Sequence, residues 1–119
     1  MLSSLRSNKY RTIAMNASDH VIDGFRIDDK LFYLTHNYDD DSRTVFNEAG
    51  DALVRFDSSC GVHQGGKKIG TLSSRDDNWS FQPFEETGLG KFVTSQPIRD
   101  YHWLNLQRAE IEVAQHLLM

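Results

Sequence analysis

The chain has 119 residues, 39% of them apolar and 25% charged, which predicts one folded domain with its own core and excludes a disordered protein. Its net charge of -4 argues against a nucleic-acid binder, which needs a basic surface. The single cysteine, Cys60, excludes an internal disulfide and a cysteine-rich zinc site. No apolar run approaches the roughly 18 residues of a membrane span, so we expect a cytoplasmic protein without a membrane partner.

The first ten residues carry basic side chains and no acidic ones. We expect residues 1–10 to form a flexible basic tail and residues 11–119 to form a single domain. In that domain, apolar residues alternate and the alternation breaks at turn residues, which is typical of antiparallel hairpins. Residues 12–16 predict a weak first strand.

A stronger hairpin is predicted from two strands at 21–28 and 31–38. A turn at Asp29 and Lys30 would place Asp23 opposite His36. This cross-strand pair can orient the imidazole, as a general base requires, and it is the candidate catalytic pair. The structural alternative is a mutually satisfied polar pair, which we prefer because the sequence shows no nucleophile or third member.

The next hairpin is predicted around the sequence NEAGD. Gly50 closes the turn in the left-handed region, so that Phe46 shares a face with Val54 and Phe56. Because the same alternation continues, residues 52–64 predict one long strand with a bulge at Ser58 and Ser59.

The stretch CGVHQGGKKIG resembles a phosphate loop in the spacing of Gly61, Gly66 and Lys67. A phosphate loop also needs Ser or Thr after the lysine and a helix that begins there. This chain has Lys68 at that position, followed by a β-branched sequence. The nucleotide-binding hypothesis therefore fails, although the two lysines remain a candidate anion contact.

A two-residue hairpin turn explains the same glycines better. Gly65 and Gly66 are typical of such a turn, which would set Val62 opposite Ile69. The strand that follows keeps its apolar face only if a bulge lies at Gly70. Cys60 and His63 would then point to opposite faces, with the thiol inward, which argues against a thiol activated by an imidazole.

The C-terminal segment changes to helical spacing. From Asn105 onward, Leu106, Ala109, Val113 and Leu117 form an amphipathic helix. The aromatic residues just before it, Tyr101 to Trp103, are expected to be buried where the helix joins the sheet; if exposed, they would indicate an interface. The predicted fold is α+β, a six- or seven-stranded twisted antiparallel meander sheet with this helix on its apolar face.

In such a meander, alternate turns lie at the same end of the sheet. Six carboxylates would therefore gather there as an acidic rim able to dock a protein partner: Asp28, Asp29, Glu48, Asp51, Asp76 and Asp77. The structural alternative is that hairpin turns favour Asp and that charged loops keep a protein soluble. Lys67 and Lys68 would lie at the opposite end. The sequence shows no calcium loop, metal-ligand spacing or cofactor motif.

Three functions stay open. The preferred hypothesis is a small non-enzymatic protein-binding or regulatory accessory protein of phage or mobile-element origin, acting through a sheet edge or the acidic rim, on a partner or on itself as a homodimer. The second is a ligand-binding module with a pocket between helix and sheet, lined by Phe25, Phe32, Phe56 and Phe81. The third is a hydrolase that uses Asp23 and His36.

Overall fold

The computed structural model describes residues 19–75, 77–99 and 101–119. Eight strands pair in chain order into one antiparallel meander sheet, and a helix follows. The strands are β1 (Asp19–Ile27), β2 (Lys30–Asn37), β3 (Arg43–Asn47), β4 (Ala52–Phe56), β5 (Gly61–Gln64), β6 (Lys67–Ser73), β7 (Asn78–Pro83) and β8 (Phe92–Pro97); the helix is α1 (His102–Leu118). The α+β class and the antiparallel sheet are confirmed, with eight strands instead of six or seven. The predicted tail and the strand at 12–16 lie outside the described residues.

Two strands were not predicted: β8 (Phe92–Pro97), and one of the pair β4 and β5, which are separated by a turn that the alternation pattern concealed. The single strand predicted for residues 52–64 is wrong, because the chain reverses between Phe56 and Gly61 and pairs Phe56 with Val62. One oxygen of Asp57 accepts hydrogen bonds from the amides of Ser59 (2.9 Å) and Gly61 (2.8 Å). Asp favours turns because its side chain satisfies backbone donors in this way.

The first hairpin also differs from its predicted register. The turn lies at Asp28 and Asp29, and Asp28 takes the left-handed conformation with φ of 55°. Asp23 therefore lies opposite Leu34 instead of His36. Asp tolerates positive φ better than most residues, which lets the turn form one residue earlier than predicted.

Two glycine turns are confirmed, although the strands beside them are bulged. Gly50, Gly65 and Gly66 all have positive φ, at 90°, 62° and 76°. Beyond the second turn Val62 pairs with Gly70 instead of Ile69, because the bulge falls at Ile69, one residue before its predicted position.

A second bulge, in β4, changes a predicted face. Val45 pairs with Val54, and Phe46 pairs with Ala52. Adjacent residues of a strand point to opposite faces, so Phe46 lies on the face away from Val54, and its predicted placement beside Val54 and Phe56 is wrong.

The helix α1 packs against β8, β7 and β1, so the sheet curls until both of its edge strands reach the helix. Leu106, Ala109 and Val113 are buried, which confirms the predicted apolar stripe. Two polar side chains of α1 also form hydrogen bonds with the edge strands. Glu112 accepts a hydrogen bond from the amide of Ser95 on β8 (2.9 Å), and Gln115 donates one to a carbonyl of β1 (3.3 Å). The helix thus shields part of both sheet edges.

The core fills the space between the curled sheet and α1. Leu34, Val45, Val62 and Phe81 are fully buried within it. Among the described residues, no helix is long and apolar enough to cross a membrane.

Candidate functional site

The start of α1 exposes three large apolar side chains, which we call the aromatic patch. Tyr101, Trp103 and Leu104 are 80%, 60% and 43% exposed, so the predicted burial of this segment is wrong. His102 is also exposed, although its ring packs edge-on against Trp79 with centroids 5.3 Å apart. The patch therefore stands in solvent beside a residue that contacts the sheet.

Backbone contacts fix the conformation of the patch. Tyr101 adopts the left-handed region, with φ of 46°, and its carbonyl accepts the amide of Asn105 (2.9 Å). The side chain of Asn105 donates to the carbonyl of Arg99 (3.2 Å), which ties the approach to the helix. A bulky residue at positive φ is an uncommon and strained conformation, and such residues cluster at functional sites.

Two arginines lie near the patch. Arg99 lies two residues before Tyr101, with Asp100 between them in the sequence, and Arg108 lies one helical turn after Leu104; both arginine side chains are exposed. The segment thus offers apolar area together with two guanidinium groups, which bind carboxylates with directed hydrogen bonds.

Inside the curled sheet lies a buried ion pair. Arg43 of β3 donates through Nε to both carboxylate oxygens of Glu110 on α1, each 2.7 Å away. Both residues are at least 95% buried. Arg43 also donates to the carbonyl of Asp41 (3.2 Å), and Asp41 lies 2.6 Å from Nε2 of His36. A chain of polar groups therefore runs from the surface turn to the centre of the core.

Burial governs the charge of this pair. It raises the pKa of Glu110 to about 7, against the opposing effect of the Arg43 charge. Here the cost of removing the carboxylate from water exceeds the stabilisation that the ion pair provides. The pair joins helix to sheet, and we assign it a structural role.

A second His–Asp contact lies in the turn before β5. Nε2 of His63 is 2.7 Å from Asp57. Although partial burial opposes them, hydrogen bonds from His63 and from two backbone amides lower the pKa of Asp57 to about 2. Nearby Cys60 packs partly against the core, and burial raises the pKa of its thiol, which is the opposite of what a nucleophilic cysteine needs.

The candidate catalytic pair is not assembled. Asp23 is exposed and bonds the following amide, of Gly24, at 2.8 Å. His36 instead pairs in register with His20 and contacts Asp41. The cross-strand geometry on which the hydrolase hypothesis depended is therefore absent.

The acidic rim is divided by the additional turn at 57–60. Asp28, Asp29, Glu48 and Asp51 remain at one end of the sheet, whereas Asp77 follows β6 and lies at the other end. Asp76 lies outside the described residues. Lys67 and Lys68 open β6, which puts them at the same end as the four remaining carboxylates and not at the opposite end as predicted.

The four phenylalanines of the predicted pocket lie in the hydrophobic core: Phe25, Phe32, Phe56 and Phe81. The rings of Phe25 and Phe32 stack with centroids 5.8 Å apart. Phe32 also borders a surface depression of about 400 Å³ beside Leu53 and Leu118, where the end of the helix meets the sheet. A ligand-binding function stays a prediction.

No family model, curated protein or solved structure matches this chain. Within residues 19–75, 77–99 and 101–119, no cluster of three His, Cys, Asp or Glu side chains could hold a metal ion.

The sequence contains a signal for each residue of the buried ion pair. Glu110 is four residues after Leu106 and three before Val113, which places a charge inside the apolar stripe of the helix. Arg43 alternates with Val45 on the core face of its strand. Two core positions that hold side chains of opposite charge indicate a buried ion pair.

Proposed function

We propose that this protein is a small non-enzymatic binding protein that contacts another protein through the aromatic patch. The observation that carries the proposal is the 60% exposure of Trp103 on a helix start whose backbone is fixed. Trp and Tyr supply a large share of the binding energy at protein interfaces, chiefly because they bury much area with few rotatable bonds.

The size of the patch fits the centre of an interface. Three such side chains expose on the order of 300–400 Å² together, which equals the largest patches of typical monomers and is about half of one side of a standard interface. Because hydrogen bonds hold the backbone at the start of the helix, little backbone entropy is lost when a partner covers the patch.

The residues around the patch indicate what kind of surface its partner presents. Arg99 and Arg108 flank the apolar side chains, so the complementary surface is an apolar groove bordered by carboxylates. Such a surface belongs to a second protein or to a second copy of this chain. We prefer the patch to the sheet edges because Glu112 and Gln115 already bond part of those edges.

The test places a photo-reactive phenylalanine analogue at position 103 of the full chain, in cells of the source organism. The matched control carries the analogue at Leu89, which is 42% exposed and lies in the loop at the opposite end of the sheet. We expect a discrete covalent adduct from position 103 that Leu104→Ala weakens. An adduct of twice the 13.7 kDa chain mass identifies a homodimer, and any other discrete mass identifies a different protein.

Two outcomes contradict the proposal. One is that no adduct forms at position 103 while the variant protein remains folded by circular dichroism. The other is that position 89 gives the same adduct in the same yield, because a contact through the patch requires a difference between the two ends.

A further inference from the structure

A depression at one end of the sheet has the composition that the partner of the aromatic patch requires. Its volume is about 400 Å³, and it lies where the end of α1 meets the turns that join β1 to β2 and β3 to β4. Its apolar lining residues are Leu31, Phe32, Ala49, Leu53 and Leu118. All of them except Phe32 are at least partly exposed, so an apolar group can reach them from solvent.

Carboxylates border this apolar depression. They are the part of the acidic rim that stays at this end of the sheet, namely Asp28, Asp29, Glu48 and Asp51. They outnumber the two cations nearby, which are Lys30 in the lining and Arg26, whose guanidinium donates to the carbonyl of Asp29. The border is therefore net negative.

Three of these carboxylates are available to a partner. Asp28, Asp29 and Glu48 are exposed, and within the described residues their carboxylates form no hydrogen bond or ion pair. An arginine of another molecule can bind them with directed hydrogen bonds.

The aromatic patch complements this depression in size and charge. A site of about 400 Å³ is within the range that takes small molecules, and the exposed indole of Trp103 is an apolar group of that kind. Arg108, one helical turn after Leu104, then lies on the side of the patch that meets the carboxylates.

The patch and the depression lie at opposite ends of α1. Trp103 is in the first turn of the helix and Leu118 is its last residue. The 15 residues between them, from 118 minus 103, correspond to about 22 Å along the helix axis. The patch therefore cannot reach the depression of its own chain, whereas a second copy supplies both halves of the contact.

The buried area favours a pair of copies that makes this contact twice. One contact covers on the order of 300–400 Å² on each side, or about 600–800 Å² in total, which is below the roughly 1,200 Å² of a stable interface. A two-fold axis pairs each patch with the depression of the other copy, and the total then reaches about 1,200–1,600 Å².

We propose that the partner of the aromatic patch is a second copy of this chain, and that the patch of each copy fills the apolar depression of the other. This inference rests on the proposed function, because it names the partner of the same patch. A contact between two patches is less suited, since it brings the Arg108 side chains of both copies together.

Sedimentation velocity of the purified full chain between about 10 and 500 µM tests the contact, because weak interfaces dissociate in this range. We expect the mass to rise from 13.7 kDa towards twice that value. Trp103→Ala removes the centre of the patch, and Ala49→Arg places a cation in the depression. Each should weaken dimerisation at least tenfold. Ala52→Arg is the matched control and should dimerise as the wild type does, because Ala52 is also exposed but is not part of the lining.

An equimolar mixture of Trp103→Ala and Ala49→Arg tests which surfaces meet. The first variant keeps its depression and the second keeps its patch, so the mixture retains one of the two contacts. We expect it to dimerise more tightly than either variant alone and more weakly than the wild type.

Three results overturn the proposal. They are a wild type that stays a 13.7 kDa monomer, equal dimerisation of Ala49→Arg and Ala52→Arg, and a mixture that forms no more dimer than its components. A monomeric wild type that still forms an adduct with a different protein at position 103 overturns this inference alone and leaves the proposed function intact. The absence of any adduct at that position overturns both.

Discussion

Replacing Glu110 by Gln should remove a pH dependence of stability that the buried ion pair creates. The pKa of Glu110 rises from 4.5 to about 7 on folding, so between those values the folded chain holds a proton that the unfolded chain has lost. The free energy of unfolding therefore falls as pH rises through this window. A difference of 2.5 pH units, from 7 minus 4.5, corresponds to about 3 kcal/mol. In Glu110→Gln, which resembles the protonated form, this decline should be absent.

Urea unfolding at pH 4.5, 6 and 7.5 measures the effect. For small proteins the free energy changes by about 1–3 kcal/mol per molar urea, so the wild-type midpoint should fall by about 1–3 M across the window. The Glu110→Gln midpoint should fall less by the amount that Glu110 contributes, while the remaining titrating groups act equally in both proteins. The reasoning is refuted if the two proteins show the same dependence on pH.

Because Glu110 pairs with Arg43, the stability cost of replacing Glu110 depends on the substitution chosen. Glu110→Ala removes the acceptor of the Arg43 side chain and should cost about 3–5 kcal/mol, because a buried cation is left unpaired. The combined change Arg43→Met with Glu110→Leu removes both charges and should restore wild-type stability or exceed it. A double variant as unstable as Glu110→Ala would show that the loss comes from packing and not from the unpaired charge.

Other expectations concern the turns and edges. Asp57→Asn should remove about 1–2 kcal/mol of stability that the wild type holds above pH 4 and loses as pH falls towards 2; unchanged acid unfolding would contradict this. Gly70→Ala should cost about 1–3 kcal/mol by thermal unfolding, because a Cβ there runs into the carbonyl oxygen of Gln82; an unchanged midpoint would contradict the close approach. Glu112→Ala should free the amide of Ser95 and increase concentration-dependent aggregation in light scattering; equal scattering would show that the edge needs no cover.

The sequence was informative where a backbone conformation favours one residue type or where apolar residues repeat at a fixed period. Gly50, Gly65 and Gly66 identified two turns because positive φ is costly for other residues. The period of 3.6 residues identified α1 because its buried stripe follows Leu106, Ala109 and the positions one turn apart.

The sequence was misleading where a turn lacked glycine at its centre or where strands bulged. The turn at Asp57 is closed by backbone hydrogen bonds to Gly61 and Cys60 and by the Asp57 carboxylate, and alternation alone cannot separate such a turn from a bulged strand. One missed turn reversed the ends of every later strand, which explains why Asp77 and Lys67 lie at the ends opposite to those predicted. Exposure of Trp103 was equally hidden, because it depends on His102 taking the contact with the sheet.

The binding role of the aromatic patch is tested most directly by the affinity of the captured partner for matched variants. Leu104→Ala and Leu89→Ala remove the same side chain at sites of equal exposure, 43% and 42%, at opposite ends of the sheet. By equilibrium titration we expect Trp103→Ala to weaken binding by about thirtyfold or more and Leu104→Ala to weaken it several-fold, whereas Leu89→Ala binds as the wild type does. Equal affinity of Trp103→Ala and the wild type, with unchanged thermal stability, would contradict the proposed function.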